Sequence, residues 1–462
     1  MNDTNEPRAA VAGAIVTDAQ MPTFAAAFRV WLRIGLLSFG GPAGQIALLH
    51  REVVDERNWI SDRRFLQALS FCNILPGPEA QQLATYLGWL MHGVKGGLAA
   101  GIVFVVPGAL VMLALSLIYA LAGQVPVIDA LFFGLKCAVL VLVVEALLRI
   151  GRRALKGKVA WTLAGAAFIA LFFLKVPFPA VVLTAGAIGW FLPGYFSHGG
   201  HGEAKHDRPA LIDAVLAADP SRPERLAADA KRAGFIILAM WLLPVVGLVG
   251  FVGGTFADIA FFFSKMAVVT IGGAYAVLAY VAQDAVEAYH WLAPQEMLAG
   301  LGLAETTPGP LILVLQFVGF LAGFRAPGTL TGVPGGIAGS VLTLWCTFAP
   351  CFVFVFLGAP IIERLQSNTS LAGALAAITA SVVGVVGNLA VWFALHVIFR
   401  DHGAVHIGYA AIDLPVPASI DPGALALAVL AAVCLFYLKL GVLQILGITA
   451  AAGLVLRLAV NM

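Results

Sequence analysis

The chain has 462 residues, of which 61% are hydrophobic and 11% charged, with a formal net charge of +2. A soluble domain carries about 25% charged residues, so this composition excludes an ordinary globular protein and points to a chain that crosses a membrane many times. The near-neutral charge gives no footing for nucleic acid, and the five cysteines, odd in number and all in apolar segments, read as buried thiols rather than a disulfide framework.

Residues 1–23 are polar, lack the apolar core of a signal peptide and read as a cytoplasmic tail. Residues 24–196 form a first transporter repeat. Its first apolar stretch, 24–49, is interrupted at Gly40-Gly41-Pro42, and its second, 65–91, at Pro76-Gly77-Pro78. Neither motif can continue a helix without freeing backbone N–H and C=O groups, and such groups survive at membrane depth only against protein, water or a ligand. The pieces on either side are shorter than the roughly 20 residues of a full span, so each stretch is either a re-entrant hairpin or a discontinuous helix. Spans are expected near 97–122, 127–149, 159–174 and 176–196.

Residues 197–232 are a polar cytoplasmic linker, and 233–253 an unmatched transmembrane helix. From 254 to 462 the first pattern returns. Ser38-Phe39-Gly40-Gly41, Trp59 and Pro76-Gly77-Pro78 reappear as Thr270-Ile271-Gly272-Gly273, Trp291 and Pro308-Gly309-Pro310, each displaced by 232 positions (40 to 272, 59 to 291, 76 to 308). An insertion near 325–336 then lengthens the offset to 243, as between Pro107 and Pro350. Duplicated breaks of this kind are the best pointer in a sequence to a transporter's binding site.

Loop charge sets the orientation of the copies. Residues 50–64 carry four Lys/Arg and 282–296 none; residues 149–158 carry five and 392–401 only Arg400. The positive-inside rule then places the first copy's loops in the cytoplasm and the second copy's outside. The expected fold is therefore an all-α polytopic membrane protein of two inverted-topology repeats.

The offset of 232 also relates Arg33 to Lys265, each seven residues before the glycines, and Ser38 to Thr270. A cation within a membrane segment costs about 2.5–3.5 kcal/mol on insertion scales and usually faces a cavity or a partner. Arg33 and Lys265 could thus converge on a substrate, although snorkelling to the interface accounts for them as well. Gly40, Gly41, Gly272 and Gly273 would expose helix N-termini, whose N–H groups and dipole favour negative charge; their bland reading is close helix packing. Two cations, two hydroxyls and these N-termini suit a small dianion. Glu79 follows the first Pro-Gly-Pro motif and Glu305 precedes the second, each a coupling carboxylate or a simple helix-end charge. Gln81, Gln82 and Thr85 make the first half the more polar wall. Lys136 is a candidate gating or substrate charge, while Glu145 and Arg149, spaced i,i+4, read as a structural pair. The His198, His201, His206 tract is the one metal candidate and reads as part of a solvated linker, so no metal or cofactor is expected. No phosphate-binding loop or nucleophile–base set occurs, which excludes an enzyme and leaves a gradient or potential as the energy source.

At these residues the sequence resembles the chromate ion transporter family, in its long two-domain form. The resemblance rests on Phe39-Gly40-Gly41-Pro42 with Gln45, on Pro76-Gly77-Pro78-Glu79-Ala80-Gln81-Gln82-Leu83-Ala84 with Tyr86 and Gly88, and on Gly272-Gly273 followed by Thr307-Pro308-Gly309-Pro310. It implies chromate efflux across the bacterial inner membrane and chromate resistance, with sulfate as the analogue of shared shape and charge. Proton coupling at Glu79 and either a monomer or a homodimer are compatible with it. Sulfate transport, a passive anion channel and, last, a sensor using the His-bearing linker are the competing readings.

Overall fold

The computed structural model describes residues 21–460 apart from 124, 197–209, 220, 270, 272, 329, 362–367 and 408–409. The all-α expectation holds. In the first half the helices are α1 (Phe24–Leu37), α2 (Gly41–His50), α3 (Asp62–Cys72), α4 (Glu79–Ala122), α5 (Pro126–Ala154), α6 (Lys158–Phe172) and α7 (Phe178–Phe191). The linker contributes α8 (Leu211–Ala218) and α9 (Arg222–Gly247), and the second half α10 (Gly254–Val269), α11 (Ala274–Gln283), α12 (Pro294–Thr306), α13 (Val314–Phe324), α14 (Gly332–Gly358), α15 (Thr369–Ile398), α16 (Pro422–Ala432) and α17 (Val442–Val460). Six of the described helices are long and apolar enough to cross a membrane. The one β element among the described residues is an antiparallel hairpin, β1 (His402–Ile407) with β2 (Ala410–Pro415).

Each broken stretch folds back on itself. Nineteen residues separate Arg33 from Glu52, which a continuous helix would hold about 28 Å apart; instead Arg33 Nε stands 3.5 Å from Glu52 Oε1. Consecutive left-handed glycines, Gly40 (φ 87°) and Gly41 (φ 72°), make this reversal, a conformation that a side chain disfavours. Between α3 and α4, Phe71 and Tyr86 pack with ring centroids 5.6 Å apart. In the second half, Gly300 of α12 abuts the Phe317 ring of α13. A further reversal lies inside α4, where His92 and Gly93 leave helical geometry and Gly88 packs onto the Gly96 carbonyl. Residues 79–91 and 94–122 are therefore two antiparallel helices, and small residues at the crossing allow the backbones to approach, as in other membrane bundles.

The halves match in detail. The π-helical turn Arg51–Asp55 that ends α2 has its counterpart in Asp284–Ala288 after α11. Among the described non-glycine residues, positive φ occurs at Asn58, Lys175, His290 and Lys439, which are two pairs 232 and 264 positions apart. The second offset exceeds 243 because the β-hairpin is inserted between α15 and α16. The halves also interlock: α5 of the first packs against α16 and α17 of the second, while α15 of the second packs against α6 and α7 of the first. Gly134 on the Thr449 carbonyl and Gly189 on the Gly373 carbonyl are close contacts of this exchange. All five cysteines are buried and free.

The described end of the linker docks on the first half. Leu211 and Ile212 donate their N–H groups to Asn58 O (3.2 Å) and Trp59 O (3.0 Å), and Arg64 Nε donates to Asp213 Oδ1 at 2.7 Å. Hydrogen bonds from Ser221 and Arg225 hold the Asp219 carboxyl down at about 2. Helix α9 begins at Arg222, ahead of the span at 233–253 expected from hydropathy, because its first turns are polar.

Candidate functional site

The breaks leave backbone groups without intrahelical partners, and the structure pairs them across the two halves. The Ser38 hydroxyl donates to Ile34 O at 2.6 Å, inside its own helix. The Ser38 carbonyl, freed by the break, accepts from Gly309 N–H at 2.7 Å. Gln45, buried on α2, donates from Nε2 to the Gly309 carbonyl at 2.6 Å. Both polar groups of Gly309 in the second Pro-Gly-Pro motif are thus satisfied by the first Gly-Gly motif, which meets the demand that buried backbone be paired.

The reverse contact is also present. A Cβ at Gly273 would lie 3.2 Å from Glu79 Oε1, so the second Gly-Gly motif meets the residue that follows the first Pro-Gly-Pro motif. Gly77 rests on Cys351 Sγ (3.0 Å from its Cβ position), and Gly309 on Gly108 Cα (3.7 Å). Gly77 and Gly309 are repeat-equivalent, as are Gly108 and Cys351 at the 243 offset. Each Pro-Gly-Pro motif therefore sits in a seat made by the long helix of the other half. At Gly108 the seat is tight, with a Cβ falling 1.9 Å from the Pro308 carbonyl.

Helical segments start from these four breaks, and none has a side-chain cap. The N-cap residues are Gly40 for α2, Pro78 for α4, Gly273 for α11 and Pro310 for the 3₁₀ turn Leu311–Leu313. Uncapped first-turn N–H groups and the helix dipole favour an anion. The first-half wall is polar: Glu79 is half-buried and Gln81, Gln82 and Thr85 are fully buried. Gln81 Nε2 donates to Thr85 Oγ1 (3.1 Å), and Gln82 Nε2 to Pro76 O (2.6 Å). Their Oε1 atoms have no partner among the described residues. The equivalent second-half positions are Leu313, Val314 and Phe317. Gln316 is the nearby polar group there, and its Nε2 donates to Ala109 O at 2.9 Å.

Other expected site residues lie elsewhere. Arg33 is 55% exposed and pairs with the buried Glu52, which Arg57 also holds at 2.6 Å. Lys265 is exposed as well, and its charge acts on Asp284, the repeat equivalent of Glu52. Arg33 is paired within its own hairpin, whereas Lys265 lies within electrostatic reach of Asp284 without a contact ion pair; applying the 232 offset to acids as well as bases finds Glu52 and Asp284. Lys136 lies within electrostatic reach of Asp129, Glu296 and Arg457. Glu305 accepts from Tyr275 Oη at 3.3 Å within reach of the Arg149–Glu145 pair, itself at 3.3 Å. Sequence reasoning passes over Tyr275, Cys351, Gly108 and Gln316. None of them has a like residue at the equivalent position, and the Gly108–Cys351 pair becomes visible only once the contact is known. Thr270, Gly272 and the His198, His201, His206 tract lie outside the described residues. Among the described residues no group of three or more His, Cys, Asp or Glu could hold a metal ion.

The sequence profile of the chromate transporter family matches residues 25–190 and 257–455, one segment per half. The chain belongs to the chromate transporter family. It is accordingly a transporter and not an enzyme. A chromate transport protein of Pseudomonas aeruginosa is 33% identical over 369 residues, 78% of each chain. Another, from Cupriavidus metallidurans, is 26% identical over 389 residues, 84% of this chain and 86% of that protein. An uncharacterized transporter of Bacillus subtilis is 31% identical over 162 residues, which make 34% of this chain but 90% of that protein. No solved structure matches the chain.

Proposed function

We propose that this protein exports chromate from the cytoplasm across the inner membrane as a secondary transporter and so confers chromate resistance. The dianion binds where the Gly-Gly motif of each half meets the Pro-Gly-Pro motif of the other, against the uncapped helix starts and the polar Glu79–Thr85 wall. The halves are inverted with respect to one another and rock about this site, so that it opens alternately to each side. The observation that carries the reading is the seating of Gly309, N–H on Ser38 and carbonyl on Gln45, across the boundary between halves. A rocking motion of the halves would make and break these bonds. Glu79, half-buried opposite Gly273, is the group placed to carry a proton or balance charge as the substrate moves. Arg33 and Lys265 then brace the hairpins and do not touch the substrate.

Flux of labelled chromate into inverted vesicles, with and without an imposed proton gradient and in competition with sulfate, tests this. Accumulation that collapses with the gradient is the expected result. Equilibration without concentration would replace the transporter with an anion channel, and sulfate outcompeting chromate would make chromate the secondary substrate.

A further inference from the structure

The reversal inside α4 carries a second feature, separate from the breaks. A cavity of about 810 Å³ opens there, lined by Met21, Phe24, Met91, His92, Lys95 and Arg222 among others, and none of its described lining residues is acidic. Lys95 is exposed. Arg222, the first residue of α9, donates from Nη2 to the Met91 carbonyl at 2.9 Å and so holds the start of α9 against the reversal. His92 donates from Nε2 to Pro22 O at 2.8 Å, while its Nδ1 is buried with no hydrogen-bond partner among the described residues. Its ring meets Phe24 edge-on, with centroids 5.9 Å apart.

One apolar surface runs away from the rim of this cavity. On α1, Phe24, Phe28 and Leu32 form an exposed stripe at helical i,i+4 spacing, 46%, 36% and 37% exposed. On α9 the exposed apolar pair Phe235 and Ile236 begins only about 20 Å along the helix from Arg222, past its polar first turns. Two cations and an imidazole beside an exposed apolar helix face match a phospholipid in charge and in shape, whereas a free oxyanion needs only the cations. A basic pocket at the cytoplasmic end of membrane helices is a known form of anionic-headgroup recognition. The contacts of Ile212 with Trp59, Arg222 with Met91 and His92 with Pro22 put the linker, the 50–64 loop and this cavity at one end of the molecule, the end that loop charge assigns to the cytoplasm.

The geometry points to a binding pocket for one anionic phospholipid, its phosphate held by Lys95 and Arg222 beside His92 and its acyl chains lying along α1. The lipid ties the linker helix to the first half at the point where the chain reverses.

Full-length protein in mild detergent, examined by native mass spectrometry with dioleoyl phosphatidylglycerol, dioleoyl phosphatidylcholine or inorganic phosphate, tests this. Wild type should retain one phosphatidylglycerol with at least roughly tenfold preference over phosphatidylcholine, and Lys95→Gln, an exposed change, should erase that preference. Arg152→Gln, which removes an exposed cation in the last turn of α5, should leave it intact. Equal retention by Lys95→Gln, or equal loss by both variants, would overturn the pocket. Competition by inorganic phosphate at the same concentration as the lipid would overturn the lipid assignment in favour of a free-phosphate site. Each of these outcomes is independent of whether chromate is transported.

Discussion

The two halves place the same breaks at the same spacing and surround them with different chemistry. After Pro76-Gly77-Pro78, α4 opens with Glu79, Gln81, Gln82 and Thr85; after Pro308-Gly309-Pro310, the chain continues with Leu311, Leu313, Val314 and Phe317. The backbone features agree down to the π-helical turns and the paired positive-φ residues. The two halves thus share the reversals and their cross-half seats, while the polar residues beside the Pro-Gly-Pro motifs are concentrated in the first half. A dianion needs donors and charge balance from only one wall if the other supplies geometry and a dry boundary.

The largest break in this comparison should come from the seat itself. Gly108→Ala puts a methyl group 1.9 Å from the Pro308 carbonyl. Overpacking typically costs about 1–3 kcal/mol, and because backbone stands opposite, thermal stability in detergent should fall sharply and chromate resistance should be lost. Gly165→Ala on α6, with open space around it, should change neither. Next in size is Gln45→Leu, which leaves the Gly309 carbonyl buried and unpaired. Such a loss costs about 1–3 kcal/mol, so chromate transport at equal membrane protein should fall about tenfold or more.

Glu79→Gln asks whether the polar wall carries the coupling. Chromate binding should survive it, while the response of flux to an imposed proton gradient should disappear; an unchanged response would make Glu79 a helix-end charge only. The smallest effect belongs to Arg33→Gln. Arg33 is 55% exposed and Glu52 keeps Arg57, so the change should cost less than about 1 kcal/mol and leave resistance near normal. Loss of resistance with normal insertion would place Arg33 in the substrate path.

Much of this architecture is legible in the chain because helix breaks in apolar sequence have few residue solutions. Gly-Gly-Pro and Pro-Gly-Pro each declare a helix break, and their common offset points to a duplication; that the chain reverses at these breaks comes from the contacts across them. Residues 402–415 read only as the loop between two spans, since neither their length nor their composition announces a β-hairpin. The polar first turns of α9 hide its start, because hydropathy registers only the segment that meets lipid. At the site, the four glycine and proline motifs mark where the helices break and leave open which break touches which. Sequence offsets pair equivalent positions, whereas the contacts pair opposites: Gly-Gly of one half with Pro-Gly-Pro of the other. Arg33 and Lys265 illustrate the same limit, since their equivalence says nothing of the acids beside them.

The most direct test of the cross-half site is chromate accumulation in inverted vesicles containing either wild-type protein or Gln45→Leu, matched for membrane protein and for thermal stability. Wild type should accumulate chromate, and the variant should lose that accumulation by about tenfold or more. Accumulation by Gln45→Leu equal to that of wild type would contradict it, because the seating of Gly309 would then have no part in transport.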